Sequence, residues 1–283
     1  MSLTPNASLP TTLRAIVAGS HPGGRYPGVM LPPTWFEADV PQVAIDSALP
    51  QSGDAPAIQA GVHGMCRAIR DTALEALRRG EHPMLVGGDH SLAMGTLAAT
   101  TTQYERVAVI WIDAHADFNT LETSPSGNPH GMPLAVAVGL GMPLFTGLYS
   151  RHVEPQDVLL VAARAIDPEE AELLARQGIW HVSVPELRGM GVDALVRAAR
   201  ERFEGAKVHL SFDFDAIDSE FFSATGTPVA EGLTPDEGEA LLKAIAASGM
   251  PVVSNDWVEF DPRPESAASC AQIARRLYKA FHG

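Results

Sequence analysis

Apolar and polar positions along this 283-residue chain fall into two alternating rhythms. The first is a set of short runs that are apolar almost without interruption. "PMLVGG" (83–88), "RVAVIWID" (106–113), "DVLLVAA" (157–163), "KVHLSFD" (207–213) and "PVVSND" (251–256) predict strands, several of them buried on both faces. The second is helical, with clear start and stop signals. In "DPEEAELLARQG", Asp167 predicts the N-cap, Pro168 the first helical position, Glu170 the return arm of a capping box and Gly178 the stop. "TPDEGEALLKAIAASG" repeats that grammar with Thr234, Pro235, Glu237 and Gly249. Residues 57–79 predict a further helix after a Pro/Gly-rich irregular stretch at 21–56. No internal repeat or interdomain linker interrupts the alternation. It predicts an α/β fold with a mostly parallel, doubly wound sheet, in one domain spanning 1–283.

One segment competes with that reading. "GMPLAVAVGLGMPLFTGLY" (131–149) is nearly uncharged and about as long as a membrane span. Pro133 and Pro143 bracket a single short helical run, however, and Gly139 and Gly141 lie beyond it, so a buried helix ending at the glycines is expected. The glycine pair is not a dinucleotide fingerprint, because Leu144 stands where the third glycine belongs. Composition adds limits. With 46% hydrophobic and 19% charged residues the chain can bury a sizeable core. A net charge of −14 counts against nucleic acid or an anionic membrane as partner and suits a cationic ligand. Two cysteines, Cys66 and Cys270, exclude a disulfide framework and a thiolate metal site. The first fifteen residues lack the charged and apolar regions of a signal peptide, so a cytoplasmic protein is expected.

In a parallel sheet, ligands sit beyond the carboxyl ends of the strands. Four predicted strand ends here are acidic. "LVGGDHS" carries Asp89 and His90, and "VIWIDAHAD" carries Asp113, His115 and Asp117. "LSFDFDAID" carries Asp213, Asp215 and Asp218, and "VVSNDWVEF" carries Asp256 and Glu259. Carboxylates gathered on one rim repel unless positive charge sits among them, and metal is the simplest candidate. A spacing of two puts extended residues on one face, so Asp113, His115 and Asp117 can converge, as can Asp213 and Asp215. Two imidazoles with several carboxylates and no thiolate suit Mn²⁺, Fe²⁺, Co²⁺ or Zn²⁺. The carboxylates outnumber the needs of one ion, which points to two ions sharing ligands.

"GGDHS", "DAHAD" and "SFDFDAID" resemble the three signature blocks of the ureohydrolase superfamily, which includes arginases, agmatinases and formimidoylglutamases. The likeness runs from about residue 84 to 262. Within it, "DFNTLETSPSGNPHGMPLA" (117–135) is similar to arginases in particular, and "ATGTPVAEGL" (224–233) and "WVEF" (257–260) resemble later family segments. The resemblance implies a three-layer α/β/α fold with a mostly parallel central sheet and two Mn²⁺ per subunit. It places one ion on His90, Asp113, Asp117 and Asp213, and the other on Asp113, His115, Asp213 and Asp215. It implies that Glu259 holds a substrate guanidinium, that Asp215 passes a proton to the leaving nitrogen, and that His130 shuttles protons. For the rest of the substrate it implies Asn119, Ser124 and Ser126 at a carboxylate and Asp167 at an ammonium, with Glu170 and Asn128 acting through water. Thr227, in the loop that resembles the segment after the third block, is expected as a further substrate contact.

The implied activity is conversion of L-arginine and water to L-ornithine and urea by a cytoplasmic homo-oligomer, a trimer or hexamer. The alternatives are an agmatinase or other guanidino-acid ureohydrolase, and a catalytically silent metal-binding relative. Three segments depart from the family pattern. Ser219 follows Asp218 where proline is usual, Glu231 precedes Gly232 where a glycine pair is usual, and residues 17–56 are richer in prolines and aromatics.

Overall fold

In the computed structural model, which describes residues 12–18, 41–45, 55–261, 263 and 265–283, the apolar runs form one eight-stranded sheet. In chain order the strands are β1 (Leu13–Ala18), β2 (Gln42–Ile45), β3 (His82–Val86), β4 (Val107–Ile112), β5 (Val158–Val161), β6 (Trp180–Val182), β7 (Lys207–Asp213) and β8 (Val252–Val258). They lie side by side as β2-β1-β3-β8-β7-β4-β5-β6, and every pairing is parallel. The helices are α1 (Ala55–Arg78), α2 (Ala93–Gln103), α3 (Pro133–Ala137), α4 (Pro143–Thr146), α5 (Pro168–Gln177), α6 (Val184–Met190), α7 (Val192–Arg202), α8 (Pro235–Ala247) and α9 (Ala267–His282).

The period-two geometry of a strand divides each apolar run between two cores. On β4, Ala108, Ile110 and Ile112 pack with α6 to α9, whereas Val109 and Trp111 pack with α1 to α5. That is the three-layer α/β/α arrangement, with the sheet covered on both sides.

The expected helix signals operate as written. Asp167 and Glu170 form a capping box, and Gly178 ends α5 in the left-handed conformation at φ 67°. Thr234 and Glu237 cap α8 in the same way. Segment 131–149 differs from the single buried helix expected. It holds two short helices, α3 and α4, separated by Gly139 and Gly141 at φ 88°. No helix among the described residues is long and apolar enough to cross a membrane. Strands β1, β2 and β6 add to the five predicted. Most of the divergent 17–56 stretch lies outside the described residues, but β2 falls within it, paired in parallel to β1.

The topology has one consequence for chemistry. The four acidic strand ends belong to β3, β8, β7 and β4, which are consecutive in the middle of the sheet. Residues scattered over 170 positions of sequence therefore open onto one short stretch of its rim.

Candidate active site

Each strand tip fixes its polar side chains through the local backbone. After β3 the chain turns through Gly87 and Gly88, both left-handed at φ 89° and 73°. Asp89 then accepts from Ser91 N at 3.0 Å, which sets the direction of His90. At β4, the Asp113 carboxylate accepts from His115 N at 2.7 Å and from the Trp111 indole at 3.0 Å. The Trp111 ring also stacks on His90 with centroids 4.0 Å apart. At β7, Asp213 accepts from Asp215 N at 2.8 Å, and Asp215 accepts from Ala114 N at 3.1 Å, which ties the β7 and β4 tips together. Beyond β8, Glu259 adopts φ 63°, donates its N–H to Gly88 O and accepts from His90 N at 3.0 Å. Left-handed backbone at Glu259 and at Asp117 (φ 52°) marks places where the surroundings hold a conformation that side chains resist.

His90 Nδ1 lies 2.9 Å from Asp113 Oδ2, 3.1 Å from Asp117 Oδ2 and 3.2 Å from Asp213 Oδ2. His115 Nδ1 lies 3.1 Å from Asp215 Oδ2 and 3.5 Å from Asp113 Oδ1. Two ligand groups result, His90–Asp113–Asp117 and Asp113–His115–Asp215, each with its atoms within 4.8 Å of one another. Asp113 belongs to both. Asp213 falls in neither by that measure, although it contacts His90. His90 Nδ1 and Asp117 Oδ2 are buried, close together and without an aligned hydrogen bond. Close approach without hydrogen-bond geometry, among nitrogen and oxygen donors only, fits a pair of divalent cations sharing Asp113.

The pKa shifts of these groups show how strongly each is governed by its neighbours. Burial opposes the charged form of His90, but Asp113, Asp117 and Asp213 carry its pKa well above the ordinary value. Burial opposes His115 too, yet Asp215 and Asp113 push it up to about 12. Burial and then the Asp113 charge raise Asp117 to about 7, and burial with the Asp215 and Asp113 charges raises Asp213 well above the carboxylate range. Glu259 is likewise raised, by burial first and then by Asp89. Carboxylates buried this close together favour a positive partner, whether metal ions or a cationic substrate.

His90, His115, Asp117 and Asp213 floor an open-mouthed cleft. Its wall contains Asn119, Ser124, Ser126, His130, Asp167, Glu170, Thr227 and Glu259, whereas Asn128 is not among the lining residues. Ser124 and Ser126 accept from the N–H groups of Gly127 and Asn128 and lie 3.5 Å apart, which leaves at least one hydroxyl proton able to donate to a ligand. Asn119 donates to Asp167 at 3.0 Å and accepts from Thr123, and keeps one amide hydrogen for a ligand. Asp167 thus caps α5 and faces the cleft at once. Glu170 accepts from Phe118 N and Asp167 N, and burial pushes its pKa up to about 7. His130 Nδ1 stands 3.9 Å from Glu259 Oε1, and burial lowers its pKa.

A family model described as the Arginase family matches residues 36–282. The chain belongs to the arginase family. It is 38% identical to an arginase of Bacillus caldovelox over 215 residues, 74% of this chain and 71% of that protein. The solved structure of that enzyme superposes with a TM-score of 0.86 at 30% identity, covering 96% of this chain and 99% of the other. The Entamoeba histolytica arginase, solved in complex with L-ornithine, superposes with a TM-score of 0.88 at 28% identity, covering 98% of this chain and 99% of that one.

Two departures from the arginase-family pattern have local explanations. Glu231 sits at φ 63°, the left-handed region that glycine occupies without cost. Ser219 donates its N–H to Val229 O at 3.1 Å, a bond proline could not make. Three acidic residues at the predicted strand ends do not line the cleft. Asp256 is fully buried and accepts from Ser211 at 3.3 Å and faces His209 at 2.8 Å, while Ser211 in turn meets His90 Nε2 at 2.8 Å. Asp218 binds the backbone N–H groups of Glu220 and Gly232, and Asp89 serves its own turn. Sequence reasoning missed Trp111 and Ser211, which orient His90 and Asp113 from outside. Each lies two residues before a predicted ligand on the same strand, and that spacing was the available signal.

Proposed function

We propose that this arginase-family hydrolase converts L-arginine and water to L-ornithine and urea with two bound Mn²⁺, as a single catalytic domain spanning 1–283. The observation that carries the reading is that the cation cradle and a wall of neutral donors share one cleft, with Asp167 beside them. In this reading His90, Asp113, Asp117 and Asp213 would hold one ion, and Asp113, His115, Asp213 and Asp215 the other. When bound, the ions would supply what side chains lack, acidification of the attacking water and charge stabilisation.

The remaining work falls to this chain's residues. Glu259, fixed by His90 N, pairs with the guanidinium, whose charge favours the ionised carboxylate. Asn119, Ser124 and Ser126 donate to the α-carboxylate and Asp167 accepts from the α-ammonium, with Glu170 and Asn128 acting through water. As the C–N bond to the side chain breaks, Asp215 delivers the proton from water to the departing nitrogen, and Thr227 steadies that carboxylate from 3.2 Å. His130, at the cleft wall beside Glu259, exchanges protons with solvent or the leaving amine. The Entamoeba arginase complex with L-ornithine supports the choice of amino acid. In the same reading the protein is a cytoplasmic homo-oligomer, a trimer or hexamer, and light scattering tests the assembly.

Urea release from a panel of guanidino compounds tests the substrate. A site built to bind a carboxylate discriminates against an analogue lacking it by on the order of 10⁴-fold. Arginine should therefore far outrun agmatine. Equal turnover of the two would refute the carboxylate-binding role of the Ser124–Ser126 loop.

A further inference from the structure

Arg164 lies just beyond β5 and outside the cleft wall, yet its guanidinium reaches three separate segments. Nε donates to Ala230 O at 2.7 Å, and Nη2 donates to Val229 O at 2.8 Å and Asp215 O at 2.9 Å. Nη1 donates to Ala162 O at 3.2 Å and Ala216 O at 3.4 Å. All five acceptors are main-chain carbonyls. One belongs to Ala162, held left-handed at φ 73°; two belong to the turn after β7; two belong to the irregular loop 224–233.

That loop has no helix or strand to set its shape, so its tie points decide where it lies. Its ends are held by Asp261 N on Ala224 O at 2.7 Å and by Leu233 N on Ala216 O at 3.0 Å. Its middle covers the chemistry. Thr227 Oγ1 donates to Asp215 Oδ2, and a Cβ built on Gly226 would stand 3.6 Å from Glu259 Oε2. Between the covered carboxylates and the far anchor, Arg164 holds Val229 and Ala230 against the turn that carries Asp215.

We infer that Arg164 is a positioning residue that staples loop 224–233 to the Asp215 turn and thereby sets Thr227 on Asp215 and the loop over Glu259. The inference rests on the proposed roles of Asp215 and Glu259, but the staple itself is a property of the chain without metal or substrate. A planar guanidinium presents five N–H groups in a fixed fork, and here that fork meets carbonyls on three sides. Lysine keeps the charge but has three donors on one atom, and cannot span the three segments. The opposite side of the contact is equally tight. A Cβ on Gly232 would meet Arg164 Nη2 at 2.5 Å, Asp218 N at 2.6 Å and Ala216 O at 2.8 Å, so the loop closes on Arg164 only with glycine there.

Amide hydrogen exchange on the metal-free full-length chain tests this directly. Arg164→Lys should speed exchange across 218–233 by about tenfold or more while α1 stays at the wild-type rate. Gly232→Ala, which attacks the same contact from the loop side, should do likewise. In the Mn²⁺-loaded enzyme, Arg164→Lys should lower kcat/KM for arginine about 10–100-fold, the scale of a displaced site group. Combined with Thr227→Val it should lose little more than the larger single loss, because both act through one contact. Unchanged exchange at 218–233 in both variants, or a rise spread evenly over the whole chain, would overturn the staple. Additive kinetic losses would overturn its action through Thr227. If neither variant folds, Arg164 serves the fold alone and the inference fails. Wild-type protein inactive on arginine would refute the proposed function while the exchange result still judged Arg164.

Discussion

His130 isolates one step of the chemistry, because it lines the cleft without belonging to either cation-binding group. A proton shuttle acts on charge that develops during turnover, so its loss should appear in kcat more than in KM. His130→Asn should lower kcat about 10–10⁴-fold with near-normal KM and melting temperature, and small imidazoles should restore part of the rate. If His130 only braces its turn, stability or arginine affinity falls at normal kcat. Both parameters and the melting curve, taken on one preparation, decide between the two. At this scale the convergence of His90, Asp113, His115, Asp117 and Asp215 was legible because D-x-H-x-D and D-x-D spacings on strand ends leave few other uses for so many carboxylates, whereas the facing wall could be expected only from the family resemblance. Trp111, Ser211 and Arg164 were not, since an indole, a hydroxyl and a guanidinium have many ordinary places in a fold. Only the parallel sheet, by bringing β3 beside β8 and β4 beside β7, shows what they touch.

Helix α8 shows how local signals become stability. Glu237 accepts from Thr234 N at 2.9 Å, and Arg188 of α6 grips the same carboxylate through two nitrogens at 2.7 and 2.9 Å. Arg188 first, and the cap second, pull the Glu237 pKa down to about 2 against the opposing effect of burial. A carboxyl whose pKa is lower folded than unfolded stabilises the protein above its unfolded pKa. That contribution is lost as the pH falls from about 4.5 toward 2. Urea unfolding across this window should show a steeper acid loss for wild type than for Glu237→Gln. Thr234→Ala should cost about 1 kcal/mol at neutral pH, as capping residues do. Parallel curves for the two proteins would show that the pair is screened by solvent, Glu237 being 30% exposed. Capped helices of this kind could be placed from sequence to within two residues. Strand β6 could not, because three residues with two half-buried side chains carry no periodicity of their own. Its place is set by pairing with β5.

Across the whole molecule, the order β3-β8-β7-β4 decides that the acidic strand ends meet, and no single segment encodes that order. Asp256 illustrates the difference. Its place in a strand-end cluster suggested the rim, but strand alternation turns it into the core behind Ser211. The proposed chemistry needs a pair of cations sharing Asp113, and counting metal tests that most directly. Elemental analysis after Mn²⁺ loading and gel filtration should give close to two ions per chain. Asp117→Ala, which removes a ligand from one group only, should fall toward one, whereas Asp113→Ala should fall toward none. A wild-type chain that carries a single tightly held Zn²⁺ and gains nothing from Mn²⁺ would contradict the shared-carboxylate centre.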